Sequence, residues 1–190
     1  MLFFLAMCVS PMLALADEPQ HAPQDLKQTD VHFSQGIVYG DVQTFSQEAY
    51  ILKVLAAGSA MTASWQFEVL EKYDYWLNQS LVQVVLARQV LPDLVTKRWL
   101  MRDLSGGVVR YTTDVHLAMR FLTEMRDVAV VDASLLTLHT DYVLESSVYL
   151  TEGERTAAGW LAWFNWGDAV GRIDFSLNES GLVKQVGSSE

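Results

Sequence analysis

Residues 81–125 constrain the fold more than any other part of the chain, because they combine turn signals with two hydrophobic periods. Leu91-Pro92-Asp93 and Ser105-Gly106-Gly107 favour tight turns, since proline presets one backbone angle and glycine allows a positive φ. The apolar spacing then changes from about two to the helical value. The predicted elements are strands at Leu81–Val90, Leu94–Asp103 and Val108–Thr112, and a helix from a Thr113 cap to Met125.

Two further segments alternate between apolar and polar residues, Met61–Val69 and Tyr142–Leu150. Each is typical of a strand with one buried face. A helix is predicted from Ser46, as N-cap, to Gly58, which can end it in the left-handed conformation. Asp30–Thr44 is predicted to form one bent strand or a pair of strands, and short strands are predicted at Val128–Val131 and Arg172–Leu177. We therefore predict a mainly β protein with α additions, an antiparallel β-sandwich-like domain with two or three short helices.

The first sixteen residues carry no charge, and Ala14-Leu15-Ala16 has the small-residue spacing of a signal-peptide cleavage site. We predict cleavage after Ala16 and export to the periplasm. Two alternatives are a retained N-terminal membrane anchor and lipidation at Cys8. Because Cys8 is the only cysteine, its removal would leave no disulfide or thiolate metal site. The predicted plan is a signal peptide at 1–16, a polar tether at 17–29, one β-rich domain at 30–178 and a solvated tail at 179–190.

The charge balance argues against a nucleic-acid partner. The chain has 23 acidic and 13 basic residues, a formal net charge of −10. Binding to nucleic acid or to an anionic membrane surface needs the opposite sign, because cationic side chains must replace counterions. We predict no nucleic-acid partner, and membrane association only through an uncleaved N-terminus.

Motifs for catalysis, for cofactors and for metals are missing from the sequence. It has no G-x-S-x-G elbow, no phosphate-binding loop, no dinucleotide fingerprint and no histidine pair at ligand spacing. We therefore nominate no catalytic residue, cofactor or metal ligand. The nearest histidine–carboxylate neighbours are His139 and Asp141, which would share a face if both lay in one strand.

Two groups of residues are candidates for an interaction surface. An aromatic group contains Trp160, Trp163, Phe164 and Trp166, which either fill the core or present a docking surface. A basic group contains Arg98 and Arg102, on one predicted strand face, and Arg110 on the next strand, where it could join them. The basic residues either form ion pairs on a solvated face, with Asp103 or Glu68, or bind an acidic partner.

The order of elements resembles the bacterial DUF4390 family. The resemblance rests on an apolar strand with aromatic end (SWQFEVLEKYDYW), a basic-aromatic hairpin (KRWLMRDLSGGVVRYT), a capped helix (DVHLAMRFLTEM) and the strands VAVVDASLL and YVLESSVYL. It covers about residues 31–177. It implies an exported, envelope-associated domain of Gram-negative bacteria and carries no catalytic residues.

Three functional hypotheses follow from the sequence. The first is a non-enzymatic extracytoplasmic module that binds an envelope protein through the aromatic or basic group. The second is a carrier or sensor of a small apolar ligand, held between the sheets or under the Trp-rich segment. The third is an enzyme, which would need a concave site where histidine or carboxylate groups converge.

Overall fold

The computed structural model describes residues 26–44, 47–73, 77–153, 168–179 and 181–185. These residues form ten strands, two α-helices and a short 3-10 turn. The strands are β1 Leu26–Ser34, β2 Ile37–Thr44, β3 Met61–Glu71, β4 Gln79–Asp93, β5 Arg98–Asp103, β6 Val109–Thr112, β7 Glu124–Asp132, β8 Asp141–Glu152, β9 Asp168–Asn178 and β10 Gly181–Gln185. The helices are α1 Glu48–Ala56 and α2 Val115–Thr123, and the 3-10 turn is Ala133–Leu135.

Two antiparallel sheets build the domain. The larger has seven strands in the order β10-β9-β8-β3-β4-β5-β6, and the smaller has three in the order β1-β2-β7. The smaller sheet and both helices pack on one face of the larger sheet, and their apolar side chains form one core with it. The prediction of a mainly β, antiparallel sandwich-like domain with short helices is confirmed.

Strand β3 lies at the centre of the larger sheet and supplies the middle of the core. Its alternate residues Met61, Ala63, Trp65, Phe67 and Val69 are all at most 1% exposed. The indole N–H of Trp65 donates to the carbonyl oxygen of Leu122, at 3.0 Å, and so ties α2 to the sheet. Burial at every second position confirms the strand predicted from the alternating pattern.

Helix α2 differs from its prediction at both ends. The cap is Asp114, whose carboxylate accepts the amide hydrogen of His116 at 2.8 Å, and not Thr113. The helix ends at Thr123, and Met125 belongs to β7, where it is 1% exposed. Met125 fits the helical spacing, but a helix and a strand would both bury it, so the pattern could not separate them.

The N-cap of α2 gives a first test of the structure. Asp114→Ala is expected to lower the free energy of unfolding by about 1 kcal/mol, because the first turn loses its side-chain acceptor. Chemical denaturation measures the change. Thr113→Ala is the matched control and should cost less; the reverse ranking would restore Thr113 as the cap.

The turn between β4 and β5 lies later in the sequence than predicted. Strand β4 continues through Pro92 to Asp93, and the turn occupies residues 94–97. The pairing of β4 with β3 ends at Val90, so Pro92 has a strand on one side only, opposite Trp99. Proline has no amide hydrogen, and such one-sided positions are where a strand tolerates it. The expected strand at Leu94–Asp103 is therefore shortened to β5.

Two strands extend beyond the predicted domain boundaries. Strand β1 begins at Leu26, within the expected tether, and β10 lies in the expected solvated tail. The Lys184 ammonium of β10 pairs with the Asp30 carboxylate of β1. Gly58 has φ of 78° after α1, as predicted, whereas Ser46 lies outside the described residues. No helix among the described residues is both long enough and apolar enough to span a membrane.

Candidate functional site

The structure describes one of the two predicted residue groups. Trp160, Trp163, Phe164 and Trp166 lie outside the described residues. The basic group lies on β5 and β6, which are the last two strands at one edge of the larger sheet. The site is therefore built from this hairpin.

Strand register decides which face each arginine occupies. Directly opposite residues of an antiparallel pair share a face. Arg102 is opposite Val109, on the face that points away from the small sheet, and Arg98 lies on the same face. Arg110 is opposite Met101, which packs against the core, so Arg110 emerges on the other face. The prediction that Arg110 could join Arg98 and Arg102 is wrong.

The outward side of the hairpin combines positive charge with exposed apolar surface. We call it the arginine–tyrosine face, made of Arg98, Leu100, Arg102, Val109 and Tyr111. Tyr111 is 59% exposed and Val109 48%. Strand β6 ends the sheet, with β5 as its one neighbour among the described strands. Large exposed apolar residues on an edge strand are typical of a surface that pairs with another chain.

The two arginines of this face have no ion pair with any carboxylate in the described part of the chain. Asp103, a predicted partner, lies on the other face and approaches Arg88, with a nitrogen–oxygen distance of 3.7 Å. Asp93 is opposite Arg98, but its carboxylate accepts hydrogen bonds from Thr96 and Val95.

The Asp93 carboxylate accepts hydrogen bonds within the turn that follows β4. The Thr96 hydroxyl, at 2.6 Å, and the Thr96 amide hold the pKa of Asp93 below its ordinary value, and Arg98 contributes least. A hydrogen-bonded carboxylate in a turn favours the local chain geometry. Arg98 lies opposite this carboxylate and contributes to its lowered pKa, but the two do not form an ion pair.

A second group of polar residues lies on the outward face of the small sheet, where sequence reasoning nominated nothing. His32 of β1 approaches Asp41 of β2 and Asp127 of β7. A pocket of about 140 Å³ adjoins it, lined by Asp30, Asp41, Val42, Gln43, Glu124, Met125 and Arg126. No sequence spacing brings these residues together, because each ligand-type side chain comes from a different strand.

Asp30 is charged in this setting. Burial alone would raise its pKa, but the Lys184 ammonium and the Val31 amide overcome this and hold the pKa of Asp30 below its ordinary value. The Asp30 carboxylate therefore stays ionised and paired with Lys184 at neutral pH.

The structure does not support the relay that a shared strand face would allow between His139 and Asp141. Strand β8 begins at Asp141, while His139 lies in the preceding turn with φ of 62°. The two residues do not belong to one strand, so the rule that alternate strand residues share a face does not apply.

Fold and surface together define a two-layer antiparallel β-protein with an arginine-bearing, apolar edge. The chain belongs to the family described as Domain of unknown function (DUF4390), whose model matches residues 26–155. Searches of curated proteins and of solved structures found no match.

Proposed function

We propose that this chain is an exported, non-enzymatic module that binds an acidic segment of another envelope protein through the arginine–tyrosine face. The observation that carries the proposal is the pair of arginines, Arg98 and Arg102, without carboxylate partners among the described residues beside exposed Val109 and Tyr111. Tyrosine and arginine dominate the binding energy of many protein interfaces, because both combine apolar area with directional polar groups.

Export is supported by the sequence of residues 1–16, with its uncharged apolar run and small-residue cleavage site. The periplasm is the compartment that this segment favours.

The partner is expected to present carboxylates close to apolar side chains. The chain as a whole has a net charge of −10, so a local positive face gives an acidic partner one preferred place to dock. Among the described strands, β6 has no partner on its outer side, so an extended partner segment can bond to its backbone there as a further strand.

Reversing the charge of the face tests this proposal. Arg98→Glu/Arg102→Glu is expected to reduce the yield of a photo-crosslink from a reactive residue at position 111 by about tenfold or more, because an acidic partner is now repelled. The crosslink is induced in cells and identified by mass spectrometry.

Arg110→Glu is the matched control for each single variant, Arg98→Glu or Arg102→Glu, since it makes the same change of charge on the other face of the hairpin. Its crosslink yield should stay near that of the unmodified protein. A yield that falls equally in the control and the single variants, or in none of them, would contradict docking at the arginine–tyrosine face.

The alternative of a small apolar ligand has less support. The pocket beside Asp30 and Glu124 is polar, and its 140 Å³ is below the roughly 300–1,000 Å³ usual for small-molecule sites. The space between the sheets is filled by the buried side chains of β3 and β8.

A further inference from the structure

The His32 ring lies between two carboxylates that come from different strands. Its Nδ1 is 3.4 Å from an Asp41 oxygen, and its Nε2 is 3.3 Å from an Asp127 oxygen. One potential ligand atom from each of the three residues can be chosen so that all lie within 4.8 Å of one another. The three side chains thus converge on the outward face of the small sheet.

A β-bulge in β7 brings the third residue into place. Gly40 is opposite Val128 and Val42 is opposite Met125, so two residues of β7 oppose the single residue Asp41. Asp127 has φ of 52°, and its amide donates to an Asp41 oxygen at 2.7 Å. A bulge redirects a side chain in this way, and Asp127 turns toward Asp41 rather than following the regular alternation.

The imidazole is also held from the side. Tyr39 is directly opposite His32 across the β1–β2 pair, and the two rings stack with centroids 5.2 Å apart and planes within 11°. Stacking limits rotation of the imidazole. The nitrogen positions are therefore fixed before any ligand arrives, which lowers the entropic cost of binding.

The charges at this point favour a divalent cation. The basic side chains around the adjoining pocket are paired with other carboxylates of its lining, Lys184 with Asp30 and Arg126 with Glu124. Among the described residues, His32 is the one basic group that forms an ion-pair contact with Asp41 or Asp127. With a neutral imidazole, the three side chains carry two negative charges, equal and opposite to those of a divalent ion.

We propose that His32, Asp41 and Asp127 bind a Zn²⁺-like divalent transition-metal ion. One imidazole nitrogen with carboxylate oxygens suits zinc and similar ions, whereas calcium and magnesium prefer oxygen ligands alone. The adjoining pocket offers room for water to complete the coordination.

The bound ion would join all three strands of the small sheet, since each ligand belongs to a different one. A ligand that binds the folded chain alone stabilises it in proportion to the logarithm of its concentration over Kd. Zinc at about a hundred times Kd is therefore expected to raise Tm by several degrees.

Metal titration of the full chain tests the proposal. The chelator-treated protein is titrated with Zn²⁺ by calorimetry and with Co²⁺ by visible absorption, which reports direct coordination. We expect one saturable site, and at least a tenfold weaker Kd in His32→Gln and in Asp127→Asn. His116→Gln is the matched control, an exposed histidine on α2, and should bind like the unmodified protein.

Three outcomes would overturn the proposal. They are no saturable binding, equal binding by His32→Gln and the unmodified protein, and saturation without a cobalt absorption band. Any of them would mean that the three residues bind an adventitious ion only, or none. Circular dichroism of each variant checks that a lost site does not reflect lost folding. The arginine–tyrosine face lies on the other sheet, so the charge-reversal variants should bind metal normally.

Discussion

Trp65→Ala is expected to lower the free energy of unfolding by about 3–5 kcal/mol, the largest effect of any single substitution considered for this domain. Trp65 is fully buried in the central strand, and its ring packs on Phe67 with centroids 6.3 Å apart. Alanine would leave a large cavity between the sheets. It would also remove the hydrogen bond to the Leu122 carbonyl, so α2 would lose an anchor.

Urea denaturation followed by far-ultraviolet circular dichroism measures this change, since tryptophan fluorescence would itself be altered. Tyr149→Ala is a suitable control. It removes an aromatic side chain that is 40% exposed on the neighbouring strand β8, and it should cost less than about 1 kcal/mol. Equal losses in the two variants would show that Trp65 is not the centre of the core.

Gly171→Ala is expected to destabilise the domain by about 1–3 kcal/mol, because β9 and β1 approach each other closely here. A Cβ atom on Gly171 would lie 1.5 Å from the Thr29 hydroxyl oxygen and 2.7 Å from its Cβ. Thr29 belongs to β1 and cannot move without displacing that strand. The clash would therefore separate the small sheet from one end of the large sheet.

Thermal unfolding of Gly171→Ala and Gly106→Ala distinguishes this contact from a general cost of replacing glycine. A Cβ on Gly106 would meet ordinary contacts, the nearest at 3.8 Å from Asp103, so that variant should keep its Tm. Adding Thr29→Ala should recover part of the loss in Gly171→Ala, since it removes the closest atom. Equal Tm values for the two glycine variants would contradict the close approach.

The sequence predicted those elements whose burial follows a simple period. Strands β3 and β8 bury alternate residues over most of their length because one face of each meets the core, although Thr62 and Val143 on the other face are buried as well. The turn predicted at Ser105-Gly106-Gly107 is also confirmed, with φ of 68° at Gly107. The end of α2 was not predictable in this way. Met125 is buried in either conformation, so hydrophobicity alone gave no boundary.

Side-chain alternation along a strand predicted only part of the candidate site. Alternation placed Arg98 and Arg102 on one face correctly. It could not place Arg110, because the face of a strand relative to its neighbour depends on register, and a shift of one residue reverses it. The cluster of His32, Asp41 and Asp127 depends on a bulge, which is itself a local change of register.

The strand order of the larger sheet has a consequence for how the chain reaches this fold. Strands β3 to β6 form one set of consecutive hairpins, and β8 to β10 form another. Within each set, neighbours in space are neighbours in sequence, so closing them costs little loop entropy. The pairing of β3 with β8 joins residues as distant as Met61 and Glu152. We therefore expect two hairpin arrays to form first, with the central β3–β8 seam as the slow step of folding.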